Sequence, residues 1–194
     1  MRSRAPRRTT VSKISALFAA IALVVVGIGV FTVRARAADD NIPQVGQMAP
    51  NFSLPSQEGK DVSLSSMKGK WVVLYFYPKD MTTGCTIEAH NFQNDLQKYR
   101  AMNAEIVGVS VDSVNSHKQF CAKDSLNFTL LSDQDKKVVA EYGSMANYMG
   151  MKIAKRNTFL INPEGKIVKV WTGVDPNHHS QEVLAELKSM QKKS

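Results

Sequence analysis

Only two cysteines occur among the 194 residues. At most one intrachain disulfide can form, and a zinc site built from four thiolates is excluded. The Cys-x-x-Cys pair of a dithiol oxidoreductase is missing as well. Acidic residues are absent from residues 1–37. With the seven basic residues of that stretch set aside, 18 basic side chains stand against 17 acidic ones. The formal charge of +8 therefore belongs to the leader. The rest of the chain is near neutral and lacks the basic surface that a nucleic-acid partner requires. No internal repeat is present. A hydrophobic share of 43% with 11 Gly and 7 Pro excludes a disordered or collagen-like chain. The length suits one domain of ordinary size.

Residues 1–37 read as an export segment. A first basic stretch ends at Lys13, and Ile14 to Val33 runs twenty residues without a charge. Ala35-Arg36-Ala37 fits a small-x-small cleavage site, with Ala38 as the new N-terminus. The apolar run is longer than an ordinary signal core and long enough to span a bilayer. Five positive charges precede it and two follow, which favours the N-terminus inside and the body outside. Two readings stay open: a cleaved signal peptide, or an uncleaved membrane anchor through residues 14–33. Arg7-Arg8 also fits a twin-arginine signal, although adjacent arginines are common in basic leaders. Either way, residues 38–194 form the working domain in a compartment where disulfides persist. A periplasmic location is expected.

The body alternates strands and helices. Asn51 to Leu54 and Asp61 to Leu64 read as short strands around a turn at Gly59. Trp71 to Tyr77 is a continuous apolar run ending at Pro78, the pattern of a central strand buried on both faces. A helix follows, with Phe92, Leu96 and Tyr99 on one side. Glu105 to Val111 is a second buried strand. Val114 to Lys123 reads as a helix with Phe120 and Cys121 on its apolar side. A short strand over Phe128 to Leu131 and a helix over Asp133 to Tyr142 come next. Asn157 to Ile161 and Ile167 to Trp171 form a hairpin across Asn162-Pro163-Glu164-Gly165-Lys166. The last helix starts near Ser180. This order implies an α/β sandwich with a mixed central sheet flanked by helices.

The chemistry concentrates after the first buried strand, in Tyr77-Pro78-Lys79-Asp80-Met81-Thr82-Thr83-Gly84-Cys85-Thr86-Ile87-Glu88. Cys85 falls in the first turn of the predicted helix. Unpaired backbone N–H groups point outward there and the helix dipole is positive, so thiolate is favoured over thiol. Thr82 is near enough for its hydroxyl to reach the sulfur or a bound oxygen, and Gly84 permits close approach of the backbone. A buried, inert core cysteine is the other reading of the position. Arg156, taken alone, reads as a solvated residue at a strand start.

Pro78-x-x-x-Thr82-x-x-Cys85 resembles the active-site signature of peroxiredoxins. The longer stretch from Tyr77 to Ala89 is similar to the peroxiredoxin Q (bacterioferritin comigratory protein) branch. The resemblance continues through Ile106 to Val111, Leu131-Ser132-Asp133 and Arg156 to Ile161, and covers residues 42–192. It implies a thioredoxin-like fold and thiol-dependent reduction of hydrogen peroxide and organic hydroperoxides, with no cofactor and no metal. By resemblance Cys85 is the peroxidatic cysteine, and Thr82 bonds the peroxide. Arg156 holds the thiolate and the developing negative oxygen, Glu88 orients Arg156, and Pro78 shields the site.

Two positions depart from the family pattern. Thr83 stands where many relatives hold proline. His90 stands five residues after Cys85, where many relatives hold the resolving cysteine. A subset of the branch places that cysteine on the later helix, which assigns Cys121 as the resolving residue, forming an intramolecular disulfide. A structural Cys121 with one-cysteine chemistry is the alternative. A disulfide needs Cα atoms within about 7 Å, so local unwinding around Cys85 and Cys121 is expected during turnover. The resemblance implies a thioredoxin-like or glutaredoxin-like reductant and a monomer. The competing functions are an exported thiol-disulfide oxidoreductase, which the Thr82 position opposes, and a binding domain with a structural bridge. His178-His179 read as an exposed helix start. Met145, Met149 and Met151 read as adaptable apolar packing.

Overall fold

The computed structural model describes residues 42–192. Its first elements are the hairpin β1 (Ser53–Pro55) and β2 (Asp61–Ser63) and a 3-10 turn over Leu64–Met67. Strand β3 (Trp71–Phe76) leads into the long helix α1 (Thr83–Ala101). Strand β4 (Ala104–Ser110), helix α2 (Val114–Asp124), strand β5 (Thr129–Ser132) and the short helix α3 (Lys137–Glu141) follow. A hairpin of β6 (Met145–Tyr148) and β7 (Met151–Ala154) precedes β8 (Asn157–Ile161), β9 (Ile167–Thr172) and helix α4 (His179–Gln191).

The main sheet runs β5-β4-β3-β8-β9. Strands β3, β4 and β5 are parallel, whereas β8 runs antiparallel to β3 and β9 to β8. This is the mixed sheet expected of a thioredoxin-like fold. Strand β3 lies in the middle because all six of its residues can be buried at once. Its side chains alternate between two cores. Val73 and Tyr75 join Phe92, Leu96 and Tyr99 of α1, Phe120 of α2 and Val183 and Leu187 of α4. Val72, Leu74 and Phe76 join Val138, Tyr142 and Phe159 on the other face. Each fully buried Val, Leu or Phe contributes about 1.5–3 kcal/mol. Polar substitution along β3 therefore damages both layers together.

The register also decides where the site lies. Phe76, the last residue of β3, pairs with Asn157, the first of β8. The segment leaving β3 and the residue entering β8 consequently meet at one end of the sheet. The closing hairpin matches the sequence reading: Gly165 adopts a left-handed φ of 87°, and its N–H donates to the Asn162 carbonyl at 2.9 Å.

Two expectations need correction. Met149 and Met151 do not pack inside. The β6–β7 turn places Met149 and Gly150 at positive φ, as a two-residue hairpin turn demands. Its tip therefore projects into water, leaving Met149 85% exposed. His179 is not an exposed helix start. It is fully buried, with Nε2 2.7 Å from the Thr158 hydroxyl and its ring edge-on to Phe92 and Trp171. Cys121 lies on the apolar side of α2 as expected, half buried and packed against the first core. Residues 1–37, with the export segment and the tether through residues 14–33, lie outside the described residues.

Candidate active site

Strand β3 delivers the chain to Tyr77, whose N–H donates to the Val109 carbonyl at 3.1 Å. Past half-buried Pro78 the backbone turns sharply, and Met81 takes a left-handed φ of 59°, uncommon for a residue other than glycine. Thr82 is the N-cap residue of α1, with extended backbone and no capping bond from its side chain. Its hydroxyl instead donates to the Lys79 carbonyl at 3.1 Å, while its own carbonyl accepts from the Thr86 N–H at 2.9 Å. Thr82 thus shares the turn with Cys85, and its hydroxyl proton is directed at Lys79.

Cys85 lies in the first turn of α1 and is 2% exposed. Arg156 reaches it from the entrance to β8, with Nη2 donating to Sγ at 3.4 Å. The other terminal nitrogen, Nη1, donates to Glu88 Oε2 in a tight ion pair. One guanidinium therefore bridges two groups of the same helix, Cys85 and Glu88, a task suited to its planar fork of donors. Gly84 makes room for it: a Cβ at that position would stand 3.2 Å from Arg156 Nη2.

The electrostatics follow from burial. Glu88 is 1% exposed. Burial pushes its carboxyl up to about 7, with Arg156 pulling against that rise. Its second oxygen, Oε1, has no hydrogen-bond partner among the described residues. Burial opposes the charge on Arg156, but Glu88 and then Cys85 outweigh it and hold the guanidinium above its ordinary value. A lasting cation thus faces the sulfur in a site nearly closed to water.

The two cysteines are both free thiols. Burial first, then the carboxylates of Asp80 and Glu58, push the Cys121 thiol up to about 12. The Tyr75 hydroxyl, buried without a partner among the described residues, is raised by burial and then by Glu88, Cys85 and Cys121. Tyr75 and Cys85 belong to the same core, and Cys121 packs against it.

The structure brings Cys85, Arg156 and Glu88 into contact, sets Thr82 and Pro78 in the adjoining turn, and leaves Cys121 on a separate helix. Sequence reading missed the buried group beside this turn. Asp80 accepts from Tyr77 Oη at 2.7 Å and Ser116 Oγ at 2.6 Å and lies 2.8 Å from His117 Nδ1. The signal was available: His117 stands one helical turn before Cys121, and a buried histidine on an apolar helix face calls for an acid. No three His, Cys, Asp or Glu side chains gather into a metal site among the described residues. An apolar cavity of about 230 Å³, lined by Met48, Leu64, Met67, Val72 and Ile161, lies at the opposite end of β3 from Cys85, and neither cysteine, Arg156 nor Glu88 lines it.

The sequence matches the AhpC/TSA family over residues 45–170. It is 46% identical over 148 residues to the putative peroxiredoxin bcp of Coxiella burnetii, covering 74% of this chain and 98% of that protein. It is 41% identical over 157 residues to the peroxiredoxin Bcp of Bacillus subtilis, covering 77% of this chain and 98% of the relative. The crystal structure of a mutant of Xylella fastidiosa PrxQ superposes with a TM-score of 0.73 at 35% identity, covering 77% of this chain and 98% of that one. Xanthomonas campestris peroxiredoxin Q superposes with a TM-score of 0.69 at 37% identity, covering 77% and 98%. Taken with a buried cysteine under a guanidinium at a helix N-terminus, these likenesses lead to one conclusion: the chain belongs to the AhpC/TSA family, on its peroxiredoxin Q (Bcp) side, and is a thiol peroxidase.

Proposed function

We propose that Cys85 is the sulfur that peroxide oxidises and that Cys121 resolves the product. The Cys85 thiolate attacks one peroxide oxygen. The S–O bond forms as the O–O bond breaks, two electrons leave the sulfur, and water or an alcohol departs with the proton that the leaving oxygen needs. The observation that carries this reading is the single guanidinium shared by Cys85 Sγ and Glu88. A fixed donor aimed at developing negative charge in a water-poor site acts far more strongly than in water. Thr82 supplies a second donor once its hydroxyl turns from Lys79 to the bound peroxide, and Pro78 shields the turn from solvent.

Cys121 then attacks the Cys85 sulfenic sulfur. The S–S bond forms, the S–O bond breaks, and the hydroxyl leaves as water with the Cys121 proton. A thiol held neutral by burial is a poor nucleophile, which supports release of the Cys121 segment before this step. A thioredoxin-like or glutaredoxin-like dithiol restores both cysteines. Hydrogen peroxide and alkyl hydroperoxides are the substrates, and the enzyme acts as a monomer. The leader supports action outside the cytoplasm, in the periplasm, either soluble after cleavage at Ala37 or tethered through residues 14–33.

A peroxide-consumption assay with a dithiol reductant tests this. Cys85→Ser is expected to abolish turnover. Cys121→Ser is expected to keep the first oxidation and to slow recycling. Repeated turnover by Cys85→Ser would remove the reading, and unaltered recycling in Cys121→Ser would favour one-cysteine chemistry.

A further inference from the structure

Helix α2 is fastened unequally at its two ends. Its first turns are bound into the interior. Ser113 Oγ accepts from the Ser116 N–H at 3.2 Å, and Ser116 Oγ donates to Asp80 Oδ2 at 2.6 Å. The His117 ring is fully buried, and both its nitrogens face oxygen acceptors: Nδ1 meets Asp80 at 2.8 and 3.1 Å, and Nε2 meets the Leu131 carbonyl at 3.1 Å. Asp80 belongs to the turn that carries Pro78 and Thr82. Burial opposes its charge, but His117, Ser116 and Tyr77 hold its carboxyl below the usual range. The last turn, with half-buried Cys121, has looser ties. Ser125 closes it in a left-handed conformation with φ 53°, and both Ser125 and Leu126 donate to the Cys121 carbonyl. Asp124 meets His90 of α1 at 3.0 Å, with the His90 side chain 48% exposed and the Asp124 side chain 11% exposed. His90 occupies the place where many relatives hold their second cysteine.

We propose that His117 and His90 are positioning residues of opposite effect in the resolving step: His117, bonded to Asp80, anchors the first turns of α2 to the peroxide-reducing turn, while the His90–Asp124 bridge is the clasp on the last turn, which must open to deliver Cys121. The proposal rests on the reading of Cys121 as the resolving cysteine. With the anchor in place, unwinding stops at His117, and Cys121 searches on a short tether beside Cys85. Without the anchor, unwinding runs back through α2, the tether lengthens and the effective concentration of Cys121 falls. Loss of the clasp frees the last turn without lengthening the tether.

The test uses the reduced full-length chain in mild detergent, one equivalent of hydrogen peroxide, rapid acid quench and mass spectrometry. Cys85 oxidation and Cys85–Cys121 disulfide formation are timed separately. In His90→Ala the disulfide is expected about two- to threefold faster, the scale of one weak side-chain contact. In His117→Phe it is expected about threefold or more slower, with more Cys85 sulfinic acid under excess peroxide. Cys85 oxidation stays within about twofold in both, because the Asp80 N–H remains held by Asp112 Oδ2 at 2.9 Å. His117→Gln, which can still donate to Asp80, is expected to recover part of the rate. If His117→Phe does not fold, His117→Gln and Ser116→Ala carry the same measurement and are expected to show smaller slowing. Generic loosening predicts faster disulfide formation in every variant, so speeding or no change at position 117 overturns the anchor. No change or slowing at position 90 overturns the clasp. Absence of the disulfide in the unaltered chain overturns the resolving assignment itself, a failure distinct from the other two.

Discussion

Replacing Arg156 by methionine removes the one cation among the described residues in contact with the Cys85 sulfur while keeping much of the stem volume. The guanidinium Nη2 stands 3.4 Å from Sγ. At that separation, with an effective dielectric of about 20, one positive charge stabilises a full negative charge developing in the reaction by about 5 kcal/mol. The Arg156 side chain keeps 15% of its exposure, so water replaces part of what is lost. A net loss of about 3 kcal/mol remains, equivalent to roughly a hundredfold in rate. That agrees with the cost of removing one donor from a developing oxyanion, about 10²–10³. The assay is the second-order rate of Cys85 oxidation by hydrogen peroxide, followed in single turnover so that recycling does not enter. Arg156→Lys keeps the charge but cannot hold Sγ and Glu88 together, so its rate is expected to fall between the two. An Arg156→Met rate within threefold of the unaltered enzyme, in a folded variant, would refute the argument.

Other outcomes follow from the same geometry. Glu88 is pushed up to about 7 by burial, so it loses its charge as pH falls through 7 and its grip on Arg156 loosens. The rate of Cys85 oxidation is expected to drop between pH 8 and 6, and Glu88→Gln is expected to erase that step. The stability effect has the opposite sign. A carboxyl bound more tightly to its proton in the folded state loses stability as pH rises from its unfolded value of about 4.5 towards 7. Urea titrations at pH 5 and 7.5 should therefore show a larger decline in the unaltered chain than in Glu88→Gln. Gly84→Ala brings a methyl to 3.2 Å from Arg156 Nη2, and a displacement of a few tenths of an ångström is expected to slow Cys85 oxidation by about threefold with the melting temperature unchanged. Gly108→Ala places a Cβ 2.7 Å from both Tyr75 Cζ and Leu130 Cδ2, and overpacking of this kind is expected to cost about 1–3 kcal/mol in chemical denaturation.

How far the sequence could be read depended on whether the signal was local. The buried run of β3, the 3.6-residue spacing of Phe92, Leu96 and Tyr99, and the Asn-Pro-Glu-Gly-Lys turn each declare themselves within a few residues. The β6–β7 hairpin was missed because Met-Ala-Asn-Tyr-Met-Gly-Met lacks apolar alternation and its turn forces a methionine to positive φ. His179 looked like a polar helix start because its burial depends on Thr158 of β8, Phe92 of α1 and Trp171 of β9, none of them sequence neighbours. Cys85 could be placed at a helix N-terminus from pattern alone. Arg156, 71 residues further along, could not: no periodicity links the two, and only the register of β3 with β8 brings them together. The family resemblance supplied that pairing. The Asp80–His117 pair escaped notice for the same topological reason, since its partners lie on a turn and on a helix 37 residues apart.

The most direct measurement is to expose reduced Cys121→Ser protein to one equivalent of hydrogen peroxide with dimedone present and to map the adduct by mass spectrometry. The adduct is expected on Cys85, formed within the time of peroxide loss, and absent from Cys85→Ser. Stoichiometric peroxide loss with Cys85 unmodified would contradict the central claim.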